Sequence, residues 1–274
     1  MKTFTHIALA LASLLALSCV KEAQPEHNEE TVTVQYGVTV DTPTKALGDG
    51  KTANYVWYAL YRADGSLVSE CTTPAKIDAD RKAICPVTMA KDQDYKVVFL
   101  AMYFDVVDEN KIPAYSISAL DKTIAMPSLA MANSDKFDLF YGVDEVEDFK
   151  GAQNTNVTLN RIVAQVNFEL SEDAWNTLGV DLSFMSQIGI SGAPVSMNLW
   201  DGTLSEEASM TYAKSTIPAE GRKIGTAYCF ASKNGDQKVD ASISLFNASG
   251  TEVKTVSASS VPVAANKQTN LIIN

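Results

Sequence analysis

Histidine, the side chain whose charge changes near neutral pH, occurs twice in these 274 residues, as His6 and His27. His6 precedes an apolar run and His27 lies in a polar, acidic stretch. A Ser-His-Asp or Cys-His nucleophile therefore finds no histidine in the body of the chain, and neither does zinc or non-haem iron bound by imidazole. No GxGxxG, GxxxxGKS/T or GxSxG pattern is present. Carboxylate pairs are the acid-base chemistry that remains. Asp78 with Asp80, Asp144-Glu145 with Glu147-Asp148, and Asp236 with Asp240 supply them, all in polar loop sequence. That setting favours solvated acidic loops over a catalytic dyad or a loose Ca²⁺ site, and no EF-hand pattern surrounds them. The chain reads as non-enzymatic, with no cofactor and no metal.

Cysteine offers a different chemistry. Residues 7–17 are an unbroken apolar or small run, shorter than the ~20 residues that span a bilayer, and a lysine precedes it. The run ends on Ala16-Leu17-Ser18-Cys19, which resembles a bacterial lipobox, with Ala16 where leucine is commonest. The resemblance implies a signal peptide over residues 1–18, removed once the Cys19 thiol carries diacylglycerol. Residues 19–30 then form a flexible acidic tether, too polar to order itself. An acidic cluster there also resembles the surface-export signal of Bacteroidales-type lipoproteins. Cys71, Cys85 and Cys229 remain. In an oxidising compartment Cys71 and Cys85 can pair across a loop whose closure is worth about 3 kcal/mol in the chain-entropy model. The alternative is three buried thiols packed as small hydrophobes, and the sequence leaves both open.

Lys plus Arg number 22 against 33 Asp plus Glu, a net charge of −11. The basic residues are scattered, so no surface is concentrated enough to neutralise phosphates, and nucleic acid is not an expected partner. A glycan would need exposed aromatic platforms. Trp57 sits in an apolar strand and Trp175 on the inner side of a short helix, which leaves Trp200, at a strand end beside a turn, as the one candidate.

The elements that carry these residues read as strands. Val32, Val34, Tyr36, Val38 and Val40 alternate on one face, and a Pro- and Gly-containing loop over 41–51 follows. Residues 54–61 and 67–68 flank Asp64-Gly65, a hairpin signal. Residues 86–89 and 95–103 read as a second hairpin, residues 104–120 as a loop, and 121–126 and 137–141 as short strands. At Asn160-Arg161 the apolar positions flip from odd (Val157, Leu159) to even (Ile162, Ala164, Val166, Phe168). A strand that exchanges its faces must bulge or change sheet, and a domain boundary is placed there. Ser171 can cap, and Gly179 end, one short helix. Strands are expected over 187–190, 195–200, 226–230, 239–245, 252–256 and 270–273. Short strands with frequent turn signals indicate β-sandwiches.

Four features in order resemble the fimbrillin-like surface lipoproteins of Bacteroidales-type (type V) pili. They are the lipobox with its acidic tether, the first strand followed by Thr44-Lys45-Ala46-Leu47-Gly48-Asp49-Gly50, the stretch Leu159-Asn160-Arg161-Ile162-Val163-Ala164-Gln165-Val166, and Met197-Asn198-Leu199-Trp200-Asp201-Gly202 with the closing Val261-Pro262-Val263 and Asn266-Lys267. The resemblance implies an all-β chain with two transthyretin-like β-sandwich domains, 31–160 and 161–274, and one short helix in the second. It also implies a structural or adhesive role in a pilus assembled by donor-strand exchange, at the outer membrane or in the fimbrium. A protease would cut the loop after the first strand, at Lys45, where relatives more often carry arginine, and a strand from the next subunit would fill the groove. Expected partners are the outer membrane through the lipid, other fimbrial subunits, and a host or bacterial surface receptor. The competing expectation is a glycan-binding surface lipoprotein for nutrient capture.

Overall fold

The computed structural model describes residues 30–41, 50–128, 130–151, 155–219 and 221–274. Valine and threonine alternate along Thr31–Val40, and the first strand, β1, forms there with Val34, Tyr36, Val38 and Val40 buried on one face. The chain next builds β2 (Tyr55–Arg62), β3 (Leu67–Glu70), β4 (Ala75–Lys76), β5 (Lys82–Ala90) and β6 (Tyr95–Met102). β7 (Phe104–Val107), β8 (Asn110–Pro113), β9 (Ser116–Ser118) and β10 (Thr123–Ala125) follow, then a 3-10 turn at Asp135–Phe137, β11 (Phe140–Val146) and β12 (Asn156–Arg161). The order across the main sheet is β3-β2-β6-β11-β12-β1-β5, with β4 on β2. β12 is where this sheet folds over: its last two residues pair antiparallel with β11, and residues 156–159 pair parallel with β1. The two layers enclose Tyr36, Leu60, Met89, Phe99 and Leu159.

β13 (Val163–Leu170) begins one residue after β12, and α1 (Glu172–Leu178) follows between the Ser171 cap and a left-handed Gly179. The remaining strands are β14 (Met185–Pro194), β15 (Ser196–Asn198), β16 (Glu207–Thr211), β17 (Ser215–Thr216), β18 (Lys223–Phe230), β19 (Gln237–Phe246), β20 (Glu252–Val263) and β21 (Gln268–Ile273). They form one sheet in the order β18-β13-β21 and another in the order β16-β14-β19-β20, with β17 on β14. The molecule is an all-β sandwich with a single short helix among the described residues. Its second core runs from Trp57 and Leu100 of the first half, through Tyr115 and Phe137, to Phe168, Ile188 and Ile243 of the second. β15 also pairs with β10, so the halves share both a core and a sheet.

The alternation of β1, the Asp64-Gly65 hairpin, the helix and the change of layer at residue 162 agree with the sequence reading. Val157 and Leu159 face one core, and Ile162, Ala164, Val166 and Phe168 face the other. Two expectations are corrected. β5 and β6 are not a hairpin: β5 pairs with β1, whereas β6 lies between β2 and β11. β5 pairs along its whole length with β1, and β6 along its whole length with β2, so the connection arches from one layer to the other. Residues 104–120 are not a loop, because β7 and β8 form a hairpin over Asp108-Glu109 and β9 pairs with β10.

Candidate functional site

A ten-residue strand without a charge, lodged in the interior of a sheet, is the feature that chemistry-bearing residues gather around. β5 runs antiparallel along β1 from Thr31↔Ala90 to Thr39↔Lys82, and β12 covers residues 37–40 on the other side. Among the described residues, β5 has no strand partner besides β1. Outward-facing Thr33 and Thr88 place their hydroxyl oxygens 2.8 Å apart. Tyr36 is fully buried and packs on Phe99 with ring centroids 5.2 Å apart; its hydroxyl donates to Asp144 Oδ2 at 2.9 Å. Burial pushes the Asp144 carboxyl above its ordinary range, and the bond from Tyr36 pulls it partly back. Burial first, then the Asp144 charge, holds the Tyr36 phenol far above its usual value, so it remains a donor. The Gly37 N–H donates to Thr155 O at 2.7 Å, and Thr155 Oγ1 donates to Gln35 O at 2.8 Å. A Cβ at residue 37 would stand 2.8 Å from Asn156 Oδ1, so a larger residue there requires the Asn156 side chain to move.

At its downstream end, Val40 N donates to Arg81 O and Asp41 N to Leu159 O. Arg81 donates to Gly50 O at 2.7 Å and to Ala53 O at 2.8 Å. At the upstream end, Lys91 forms an exposed ion pair with Glu30 at 2.6 Å. Cys19 and Lys45 lie outside the described residues, as do residues 42–49.

Cys71 and Cys85, considered for a disulfide, are free thiols in the structure, as is Cys229. Cys71 lies just past β3 and its Sγ accepts from Tyr58 N at 3.4 Å; Cys85 lies inside β5. Burial raises the thiol pKa to about 11 at Cys71 and to about 12 at Cys85, where Cys71 adds to the shift. Neither forms much thiolate near neutrality.

The carboxylate pairs are occupied in local structure. Asp78 Oδ1 accepts from the N–H groups of Asp80 and Lys82, Glu145 pairs with Lys96 at 2.8 Å, Asp148 pairs with Lys150 at 2.8 Å, and Asp236 and Asp240 accept from Ser232 and Ser260. Among the described residues, no group of three or more His, Cys, Asp or Glu is arranged to hold a metal ion.

Arg161 is a residue whose importance the sequence hid. It ends β12 fully buried, and its guanidinium contacts both oxygens of Asp138, at 2.6 and 2.7 Å. It also donates to Asn266 Oδ1 at 3.3 Å, and its centre lies 4.9 Å from the Phe140 ring centroid. Burial pushes the Asp138 carboxyl up and Arg161 opposes that shift; the two-point contact is that of an ionised pair. The clue available was an arginine at the position where the apolar pattern flips.

Beside this clamp the two halves leave a cleft of about 470 Å³, lined by Tyr141, Met197, Asp201 and Lys233 among others. The tryptophans offer it little. Trp57 is buried, while Trp175 and Trp200 pack half-buried on the core. Trp200, the candidate for exposure, meets Tyr61 edge-on, and the Lys96 ammonium sits 4.3 Å from its ring centroid.

The fold and the seated strand together define a class of all-β sandwich proteins, and known structures of that class resemble this one. The chain belongs to DUF6562, a family of unknown function whose model matches residues 23–272. A "putative adhesin" from Bacteroides ovatus superposes with a TM-score of 0.51 at 14% identity, over 82% of this chain and 76% of that one. "Putative polysaccharide binding proteins" from Bacteroides thetaiotaomicron give 0.52 at 14% identity, over 81% and 79%. A fimbrial assembly protein from Parabacteroides distasonis gives 0.47 at 12% identity, over 89% and 92%. At such identities the likeness is one of fold. No curated protein matches the chain.

Proposed function

We propose that this chain is a non-enzymatic, lipid-anchored surface protein, a fimbrillin-like structural or adhesive component that engages neighbouring subunits by strand exchange at the β1 groove. In this reading Cys19 carries the lipid, residues 31–160 and 161–274 are two sandwich units, and cleavage at Lys45 frees β1. The observation that carries it is the position of β1: an uncharged strand at the N-terminal edge of the sequence, yet interior to its sheet. Its removal would expose the unpaired edges of β12 and β5 over an apolar floor, which is the template for β-strand addition. The order of sequence motifs and the adhesin-titled relative support the same role. Trypsin treatment of the mature protein tests it. Ladders on a denaturing gel loaded without boiling are expected while part of the molecules still carry residues 31–40, and monomer bands alone at every stage of digestion would refute exchange. Membrane attachment is tested separately by fractionating cells that express Cys19→Ala, which should leave the outer membrane.

A second reading, glycan capture, is favoured by the cleft between the halves, where Tyr141, Asp201 and Lys233 surround an apolar floor. Calorimetric titration of Asp201→Ala against wild type with surface polysaccharides would separate the two, since strand exchange does not involve that cleft.

A further inference from the structure

The apolar alternation of β1 does not choose its own register. Valine occupies positions 32, 34, 38 and 40, so sliding the strand by two residues returns an apolar side chain to nearly every inward site. A one-residue slip is forbidden because it turns the strand inside out, but a two-residue slip is not. The pair Tyr36-Gly37 removes the ambiguity. Tyr36 reaches past the neighbouring strand to Asp144 on β11, and Gly37 lies against Thr155 and Asn156 at the start of β12. Slid one way, Val34 and Gln35 take these two sites; slid the other, Val38 and Thr39 do. Either slip leaves Asp144 without its hydroxyl and places a side chain where a Cβ would stand 2.8 Å from Asn156 Oδ1, so that the Asn156 side chain must swing aside.

We infer that Tyr36-Gly37 is a register key read by Asp144, Thr155 and Asn156, and that the groove between β12 and β5 selects an extended, uncharged strand carrying tyrosine then glycine. The strand runs in the direction of β1, with valine-like residues two and four positions to either side of the tyrosine. The register key stands on the intact chain; entry of a strand from another molecule rests on the exchange reading above. The occupant that fits is β1 of a second copy that is itself uncut, so that the strand is still joined to its own body. Tyr-Gly occurs in this sequence at 36–37 and at 141–142, and the latter is held inside β11 between β6 and β12. Because the chain carries a net charge of −11, a shared segment without charge is also the one that brings two copies together without adding repulsion.

Cross-linking in the full mature chain reads the register directly. Cysteine is placed at residue 88 (Thr88→Cys) and, in turn, at 31, 33 or 35 (Thr31→Cys, Thr33→Cys, Gln35→Cys), and links are mapped by mass spectrometry. With the native key, only the 33–88 link is expected, since Thr33 and Thr88 are directly opposed. With Tyr36→Val and Gly37→Thr together, the 31–88 and 35–88 links should appear. A sole 33–88 link in that variant would overturn the key. If that variant does not fold, Gly37→Ala serves instead: it should melt several degrees lower, and adding Asn156→Ala should recover at least half of the loss. No recovery would remove Asn156 from the reader. The occupant is tested with trypsin-cut protein and fluorescent peptides of residues 30–41. The native peptide should enter, and peptides with Gly37→Ala or with the sequence shifted by two should bind at least tenfold more weakly. Equal uptake of all three would overturn selectivity. Uptake of none, with the cross-links as expected, would refute the exchange reading and the second-copy occupant while the key within the chain stands.

Discussion

The first strands of the two halves occupy the same place and are held in different ways. β1 lies between a parallel closing strand, β12, and an antiparallel one, β5; β13 lies between parallel β21 and antiparallel β18. β13 continues from β12 through Ile162 and is buried on both faces along nearly its whole length. Its buried amides are also engaged: Gln165 donates to the Tyr228 hydroxyl, and Asn167 meets Thr226 and Asn270. β1 buries one face only. One position in a sandwich can thus hold a strand buried on both faces or one buried on a single face. The distinction lies in covalent continuity and second-face burial rather than in strand pairing.

The contrast is broken most severely at the clamp where β12 hands over to β13. Arg161→Ala strands a buried carboxylate, and urea denaturation should register a loss of about 3–5 kcal/mol; a loss below ~1 kcal/mol would mean that the two halves do not depend on the pair. Phe168→Ala in β13 should also lose about 3–5 kcal/mol, whereas Tyr36→Phe in β1, which deletes one hydroxyl, should lose about 1–3 kcal/mol. Equal losses would remove the asymmetry between the strands. Removal of residues 31–45, leaving a chain that starts at Ala46, should lower the melting temperature by several degrees or yield oligomers on size exclusion. An unchanged monomer would show β1 to be dispensable. Amide exchange should be faster in β1 than in β13, and tryptic cleavage should come first near Lys45.

The smallest expected effect is on pH dependence. The Asp144 carboxyl is held above its unfolded value of about 3.9. Its protonated form is therefore favoured by folding: the contribution is complete below that value and declines as pH rises through the folded pKa. Melting curves of Asp144→Asn from pH 3 upward should lack this decline. A parallel profile in wild type and variant would show that Asp144 is not coupled to the fold.

Much of this contrast was legible in the residues. Val32 to Val40 announced a one-faced strand, and the flip at Asn160-Arg161 announced a change of layer, because period and phase are local properties. Ser171 and Gly179 bounded the helix for the same reason. Pairing is not local. β5 and β6 are neighbours in sequence joined by a polar turn, and nothing between residues 86 and 103 reveals that their partners are β1 and β2. The strands within 104–120 are short and borrow stability from Trp57, Phe137 and Phe230 of the shared core. The pairing of Arg161 with Asp138 was not legible, because the two are separated in sequence by β11. In the candidate site, Tyr36 was legible as an inward residue, but its bond to Asp144 was not.

The parallel alignment of Gly37 with Asn156 has a kinetic corollary. A parallel pair cannot close through a hairpin; it waits for everything between its members to be arranged. β1 is thus the first of these strands to be synthesised and among the last to find its place. For that interval it is a valine-rich, uncharged ribbon in search of an edge, the kind of segment that aggregates when left unattended. Its dwell time outside the fold, set by topology, decides how long such a chain depends on escort before it is folded.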